Sequence, residues 1–319
     1  MSKVIIETPS RIHITLIDLH GALNRIDGGI GLALMEPKVL LEAKLSSKNR
    51  ILKDVEHKAE RALNLTLRAL NIRKSFEIHV KESYPSHIGL GLTTQLSLAV
   101  ASAITRLCSL DLDHYELAKI VRRGGTSGIG VNAFQFGGFL IDSGHSRKVK
   151  KDFLPSSFSR APPPKPLVRL DFPEDWNIVL ACYKKGRKVY GKKELELFKK
   201  YCPIDLEEVR KLSHLILMKL LPSLIERDIE SFAYCIDEIQ RLGFKRYEVD
   251  NQAQEVKRLM KSLKDKGAYG VGLSSFGPTL YCITKSKRHA KELLNEASHD
   301  CLCWITKARN SGASITLKA

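Results

Sequence analysis

The chain has 319 residues, 43% of them hydrophobic and 27% charged, with 52 Lys and Arg against 35 Asp and Glu for a formal net charge of +17. That length and composition fit one large domain or two intimately packed ones. They exclude a membrane helix, because no apolar run approaches the roughly 20 residues a span requires. The excess positive charge draws anions, whether phosphorylated metabolites, nucleic acid or an acidic lipid surface. The opening "MSKVIIETPS" lacks a signal-peptide core, which sets the expectation of a cytoplasmic protein. Seven cysteines with no CxxC pair suggest neither a disulfide framework nor a zinc ribbon.

In chain order, "KVIIET", "RIHITLIDL", "KVLLEAKLS" and "SFEIHVKE" have the β-branched content and short length of strands. "HKAERALNLTLRAL" places Ala59, Leu63, Leu67 and Leu70 on one helical stripe. "LDHYELAKIVRR" is a second helix, with Asp111 or Asp113 able to cap it. "GGFLID" returns to strand. "FLPSSFSRAPPPKPL" then interrupts the pattern, its three consecutive prolines forbidding both helix and ladder pairing. We expect a domain over residues 1–152, a connector over 153–166 and a second domain over 167–319. The second half reads as strands "PLVRLDFP" and "NIVLACYKKG", then helices from about Asp205 to Lys266, with stops expected at Gly243 and Gly267. "TLYCIT", "KRHAKELLNEA", "CLCWITKA" and "ASITLK" give a strand, helix, strand, strand ending. Without regular βαβ alternation the class is α+β.

"PSHIGLGLTTQLSLAVASAI", Pro85 to Ile104, runs a glycine-pinched loop into a small-residue helix. Gly89 and Gly91 permit turns that gather backbone N–H groups, and the helix adds its positive end, so the loop is a ready anion cradle. "PSHIGLGLTTQ", "GGTSGIGVNAFQFGGFLID" and "GAYGVGLSSFGPTLYCIT" together resemble the phosphate loop, middle segment and C-terminal glycine loop of the GHMP kinase superfamily. The resemblance implies a GHMP-kinase-like two-domain fold, with a ribosomal protein S5 domain 2-like N-terminal half and a ferredoxin-like α+β C-terminal half. Two positions depart from the kinases. Leu92 and Thr93 follow Gly91 where the kinases carry Ser-Ser, and "SGIG" puts Gly130 where many carry the aspartate base. Glycine accepts no proton, so the kinase chemistry lacks its usual base.

"TPSRIHITLIDLHGALNRIDGGIGLALMEP", Thr8 to Pro37, resembles one branch of that superfamily, the archaeal β-ribofuranosylaminobenzene 5′-phosphate synthases of methanopterin biosynthesis. The resemblance implies a decarboxylating glycosyltransferase that joins phosphoribosyl pyrophosphate to 4-aminobenzoate or 4-hydroxybenzoate, a magnesium requirement and a homodimer. On that reading Asp27, Asp18 and His13 are the catalytic candidates, with Asp27 or Asp18 alternatively holding magnesium. Gly89, Gly91, Thr93, Thr94 and Gln95 form the cradle. Arg11 and Arg25 supply cations from the signature segment, while Arg123, Gly125, Ser127, Ser274 and Ser275 complete the binding set.

Plainer readings stand beside these. Arg25 and Asp27 also fit a surface turn before Gly28, Asp18 a strand-end cap for the turn at Gly21, and His13 a core histidine. "YKKGRK" and "SRKVKK" read as solvated loops. An ATP-dependent small-molecule kinase with a relocated base is the alternative function. A basic nucleic-acid-binding module is a second alternative, disfavoured because no basic stretch is interleaved with stacking rings.

Overall fold

The computed structural model describes residues 2–318. The first half runs β1 (Lys3–Asp18), β2 (Arg25–Ser46), β3 (Arg50–Leu52), α1 (Lys58–Ala69), β4 (Ser75–Glu82), α2 (Leu92–Leu107), α3 (His114–Ile120), α4 (Ile129–Phe136), β5 (Phe139–Asp142) and β6 (His145–Ser146). The second runs β7 (Pro166–Leu170), β8 (Asn177–Tyr183), α5 (Lys192–Tyr201) and α6 (Leu206–Leu215), which continues through a widened turn at Ile216–Leu220 into α7 (Leu221–Ile225). It ends with α8 (Ile229–Ile239), α9 (Gly243–Asp250), α10 (Gln254–Asp265), β9 (Tyr269–Leu273), β10 (Thr279–Thr284), α11 (Lys287–Ser298), β11 (Cys301–Thr306) and β12 (Ser314–Lys318).

The two strands expected around Pro9 are one. Proline has no N–H for the ladder, and the β1–β2 pairing slips between Thr8 and Ser10 at that point, so a bulge absorbs the missing donor and β1 carries on. β2 is 22 residues long, far longer than "KVLLEAKLS" implied, because "RIDGGIGLALM" is strand as well. Its glycines allow close approach: a Cβ on Gly29 would sit 2.3 Å from Ser127 Oγ, and one on Gly31 would sit 2.3 Å from Ile129. The signature segment thereby seats the 127–130 loop directly on the sheet.

The first sheet runs β12-β1-β2-β4-β3, with β5 and β6 on the other end of β2 and β7 beyond β5. α2 lies across it, and Ala99, Ala101 and Ala103 are fully buried, which is why small residues recur there. Asp113, one of the two expected caps, closes a capping box with Glu116 at the start of α3. The second sheet is four antiparallel strands, β11-β8-β10-β9, backed by helices.

The domain limits shift. β7 pairs antiparallel with β5, and β12 pairs with β1 from Lys3↔Lys318 to Glu7↔Ser314, so the strand after the prolines and the terminal strand both belong to the first sheet. A single core joins the halves, with Phe139 edge-on to Phe232 at 6.2 Å and Phe232 edge-on to Phe172 at 5.5 Å. The proline segment is accordingly packed: Pro163 covers Gly124, and the Pro164 carbonyl accepts from Asn132 at 3.2 Å.

Candidate active site

A cleft of about 460 Å³ opens between the halves. One wall is the glycine loop. Gly89 and Gly91 have φ of 90° and 85°, a left-handed conformation that costs glycine no Cβ clash, and Gly91 is the cap from which α2 starts. Thr94 and Gln95 N–H groups bond the Gly91 carbonyl at 3.1 and 3.3 Å, leaving the amides of Leu92 and Thr93, two lining residues, without an intrahelical acceptor.

β1 clamps this loop to the loop after β9. The Arg11 guanidinium donates to the Gly89 carbonyl, and the Arg11 amide donates to Leu90 at 3.1 Å. Ser274 donates to the same Gly89 carbonyl at 2.7 Å and accepts from the His13 amide at 3.1 Å. The Ser275 amide donates to the His13 carbonyl at 2.8 Å. Both glycine loops are therefore held by Arg11 and His13, two residues of one strand.

Cations dominate the lining, with Arg11, Lys58, Arg61, Arg122, Arg123 and Arg160 all present. Burial holds Arg11 down to about 10, and burial likewise lowers Arg123, which bonds Thr94 Oγ1 at 3.1 Å. Burial pushes His13 well below the ordinary histidine value, with Arg11 and Lys245 adding to it, so its imidazole is neutral; its Nδ1 has no hydrogen-bond partner. Three carboxylates also line the cleft. Glu56, bonded by Lys58 and Ser86, is held down at about 2. Glu248 is paired with the fully buried Lys245, which donates to the Leu273 carbonyl at 3.0 Å, and burial raises its carboxyl. Burial and then Glu248 push Glu194, in the first turn of α5, up to about 8.

The 124–130 segment forms the floor. Asp142 accepts from the Gly128 amide at 2.8 Å and from Ser127 Oγ at 3.1 Å, fixing the turn into α4, and burial pushes it up to about 6. Ser127 and Gly130 reach the lining.

Of the residues singled out in the sequence, Arg11, His13, Gly89, Gly91, Thr93, Thr94, Arg123, Ser127 and Ser275 line this one cleft. Others lie behind it. Asp18 caps the turn at Gly21, its Oδ1 accepting from His20 and Gly21 amides at 2.8 Å each. Asp27 is buried against Lys150 and His145, and neither it nor Asp18 lines the cleft where the sequence reading placed them. Arg25 is exposed and donates to Ser143 at 2.6 Å. Gly125 packs on Ser159, Gln95 donates to the Gly130 carbonyl at 2.8 Å, and Ser274 is consumed by its loop clamp. Lys150 corrects the reading of "SRKVKK" as solvated, since its side chain is 3% exposed.

Sequence reading missed Glu194, Glu248, Arg160, and the His87–Tyr190 stack at 3.9 Å that bridges the halves at the mouth. The only available signal for Glu194 was "KELELFKK", whose Leu195 and Phe198 fall three apart among charges, the spacing of an amphipathic turn.

Two family models match, GHMP kinases N terminal domain over residues 57–138 and GHMP kinases C terminal over residues 220–301. β-Ribofuranosylphenol 5′-phosphate synthase of Archaeoglobus fulgidus is 46% identical over 317 residues, covering 97% of this chain and 98% of the relative. The proteins of the same name from Methanothermobacter thermautotrophicus and Methanocaldococcus jannaschii are each 43% identical, covering 89% and 98% of this chain and 90% and 100% of theirs. The chain belongs to the β-ribofuranosylphenol 5′-phosphate synthase family. Likeness to kinases is distant in sequence and close in fold. The Leishmania major mevalonate kinase in complex with R-mevalonate superposes with a TM-score of 0.71 at 13% identity, each chain covered over 96%. The Methanococcus jannaschii mevalonate kinase gives 0.69 at 16%, over 96% of this chain and 98% of that one.

Within this synthase-family chain, the kinase departures acquire a physical meaning. A Cβ at Gly130 would meet Thr94 Cγ2 at 3.1 Å, so Thr94 packs directly against this glycine.

Proposed function

We propose that this protein condenses phosphoribosyl pyrophosphate with 4-hydroxybenzoate or 4-aminobenzoate, releasing carbon dioxide and pyrophosphate, to give the C-riboside 5′-phosphate of methanopterin biosynthesis. The family name carried by the relatives points to the phenol series, and hence to 4-hydroxybenzoate. The observation that carries the reading is the cleft's composition: six cations and two glycine loops around one space, with Gly130, packed on Thr94, where a kinase base would stand.

The substrates bring two phosphoryl groups and a carboxylate, and Arg11, Arg123 and Arg160 with the loop amides match them. Holding C1 of the ribose against the ring carbon that bears the carboxylate turns a bimolecular reaction into a unimolecular one. Attack at that carbon breaks the bond to pyrophosphate, and loss of carbon dioxide restores aromaticity without any ring proton having to be removed. The missing aspartate is therefore no handicap.

Magnesium belongs to the proposal as a companion of the diphosphate, its shell made chiefly of substrate oxygens and water, the usual habit of that ion. No group of three or more His, Cys, Asp or Glu side chains is placed to hold a metal among the described residues. A homodimer is part of the same reading, supported by Leu217, Met218, Ile225 and Tyr234, exposed on adjacent helices of the second half; sedimentation velocity tests it. No helix among the described residues is long and apolar enough to cross a membrane, and we place the reaction in the cytoplasm.

The test is pyrophosphate release from phosphoribosyl pyrophosphate that requires 4-hydroxybenzoate and proceeds without ATP. Phosphorylation of a small alcohol by ATP, with no release from the donor, would restore the kinase alternative.

A further inference from the structure

Resting on that reaction, we propose that Glu194 takes the proton of the acceptor's para hydroxyl or amine as the ring attacks, and returns it as carbon dioxide leaves. The argument begins with where the carboxylate sits. Glu194 projects from the first turn of α5 into a cleft where cations outnumber carboxylates, and makes no side-chain hydrogen bond or ion pair among the described residues. Both substrates are anions, and their phosphoryl and carboxylate groups belong against Arg11, Arg123 and Arg160. Once it has given up its proton, Glu194 repels those groups, so the part of the ligand that suits it as a base is one that donates a hydrogen bond. The para substituent is such a part, lying at the end of the ring opposite the acceptor's own carboxylate.

The other carboxylates of the lining, and His13, are unsuited to the task. Glu56 is engaged by Lys58 and Ser86 and held at about 2. Glu248 is locked against Lys245. His13 is buried, with Arg11 and Lys245 opposing any positive charge on it. Gly130 offers no side chain. Of the three carboxylates in the lining, Glu194 alone is unengaged among the described residues, and burial beside Glu248 keeps its proton affinity close to neutrality, where a base that must also give its proton back works best.

The step balances. Ring electrons form the bond to C1 of the ribose while the bond from C1 to the pyrophosphate oxygen breaks and pyrophosphate leaves with that electron pair. The para O–H proton passes to Glu194, giving a cyclohexadienone that still carries the carboxylate. The bond to the carboxylate then breaks as carbon dioxide departs, its electrons restore the ring, and the oxygen recovers the proton from Glu194. No proton is gained or lost overall.

The experiment compares wild type with Glu194→Gln on 4-hydroxybenzoate and on 4-(dimethylamino)benzoate, an electron-rich acceptor with no proton to surrender. We expect the variant to lose about 100-fold or more in kcat with the hydroxy acceptor, in the range of general-base catalysis. It should lose less than about threefold with the dimethylamino acceptor, at unchanged donor KM. Glu194→Asp should recover part of the loss. In wild type, kcat/KM for 4-hydroxybenzoate should rise with pH toward about 8, and that limb should vanish in Glu194→Gln. Equal losses on both acceptors, a raised donor KM or a raised magnesium requirement would overturn the proposal in favour of ribose or metal binding, as would a pH limb that survives the substitution. Absence of any wild-type turnover would instead remove the reaction itself, and the proposal with it.

Discussion

Lys150 donates to both carboxylate oxygens of Asp27, at 3.1 and 3.0 Å, in a place where neither side chain is more than 3% exposed. His145 adds a third contact to Asp27 at 2.6 Å and reaches the Pro162 carbonyl at 2.8 Å, while Lys150 also holds Thr126 and the Leu154 carbonyl. The triad ties the signature segment to the proline segment and to the floor of the cleft. Removing one partner from such a pair leaves buried charge uncompensated, which costs about 3 kcal/mol. Asp27→Asn is therefore expected to lower Tm by several degrees in calorimetry, at roughly 2–4 °C per kcal/mol for a chain of this order of size. An unchanged Tm together with a large loss of turnover would return Asp27 to the chemistry.

Arg11 and Gly91 are mechanically coupled. A Cβ on Gly91 would lie 3.1 Å from Arg11 Cγ and 3.2 Å from its Nε, at a φ that disfavours side chains. Gly91→Ala should raise the donor KM about tenfold or more by displacing Arg11 from the Gly89 carbonyl. Arg11→Met should do the same. Because both changes disturb one contact, the double variant should lose less than the sum of the two, measured as donor affinity by calorimetry. Strict additivity would separate the two residues.

The proton on Glu194 also marks stability. Its folded value of about 8 lies above the ordinary glutamate value of 4.5, so between those limits the native chain binds more protons than the unfolded one. Stability then falls as pH rises through that window, and the contribution is fully present only below about 4.5. Chemical denaturation at a series of pH values should show this decline for wild type and a flatter profile for Glu194→Gln. Arg11 and Arg123 face the same carboxyl and moderate the slope.

The fold was legible from the sequence where local chemistry settles it. Gly89 and Gly91 announced a tight turn, the small residues of α2 a buried helix, and Asp113 a cap. Pairing partners were harder to read. "ASITLK" is a strand by composition, yet only the chain's return to β1 makes it part of the first sheet. The site divided the same way. Residues beside glycines in recognisable segments were found, whereas Glu194 and Glu248 enter from helices that are distant in sequence. Asp27 misled because carboxylates in glycine-rich segments look alike in sequence whether they face a ligand or, as here, a lysine 123 residues away.

We propose that each carbon–carbon bond formed in this cleft is matched by one decarboxylation. The measurement is the fate of the carboxylate carbon: 4-hydroxybenzoate labelled there, phosphoribosyl pyrophosphate and magnesium, with carbon dioxide, pyrophosphate and ribosylated product quantified together. The account predicts labelled carbon dioxide, pyrophosphate and an unlabelled product in equal amounts, without ATP. A ribosylated product that keeps the label would mean attachment through oxygen and would contradict it.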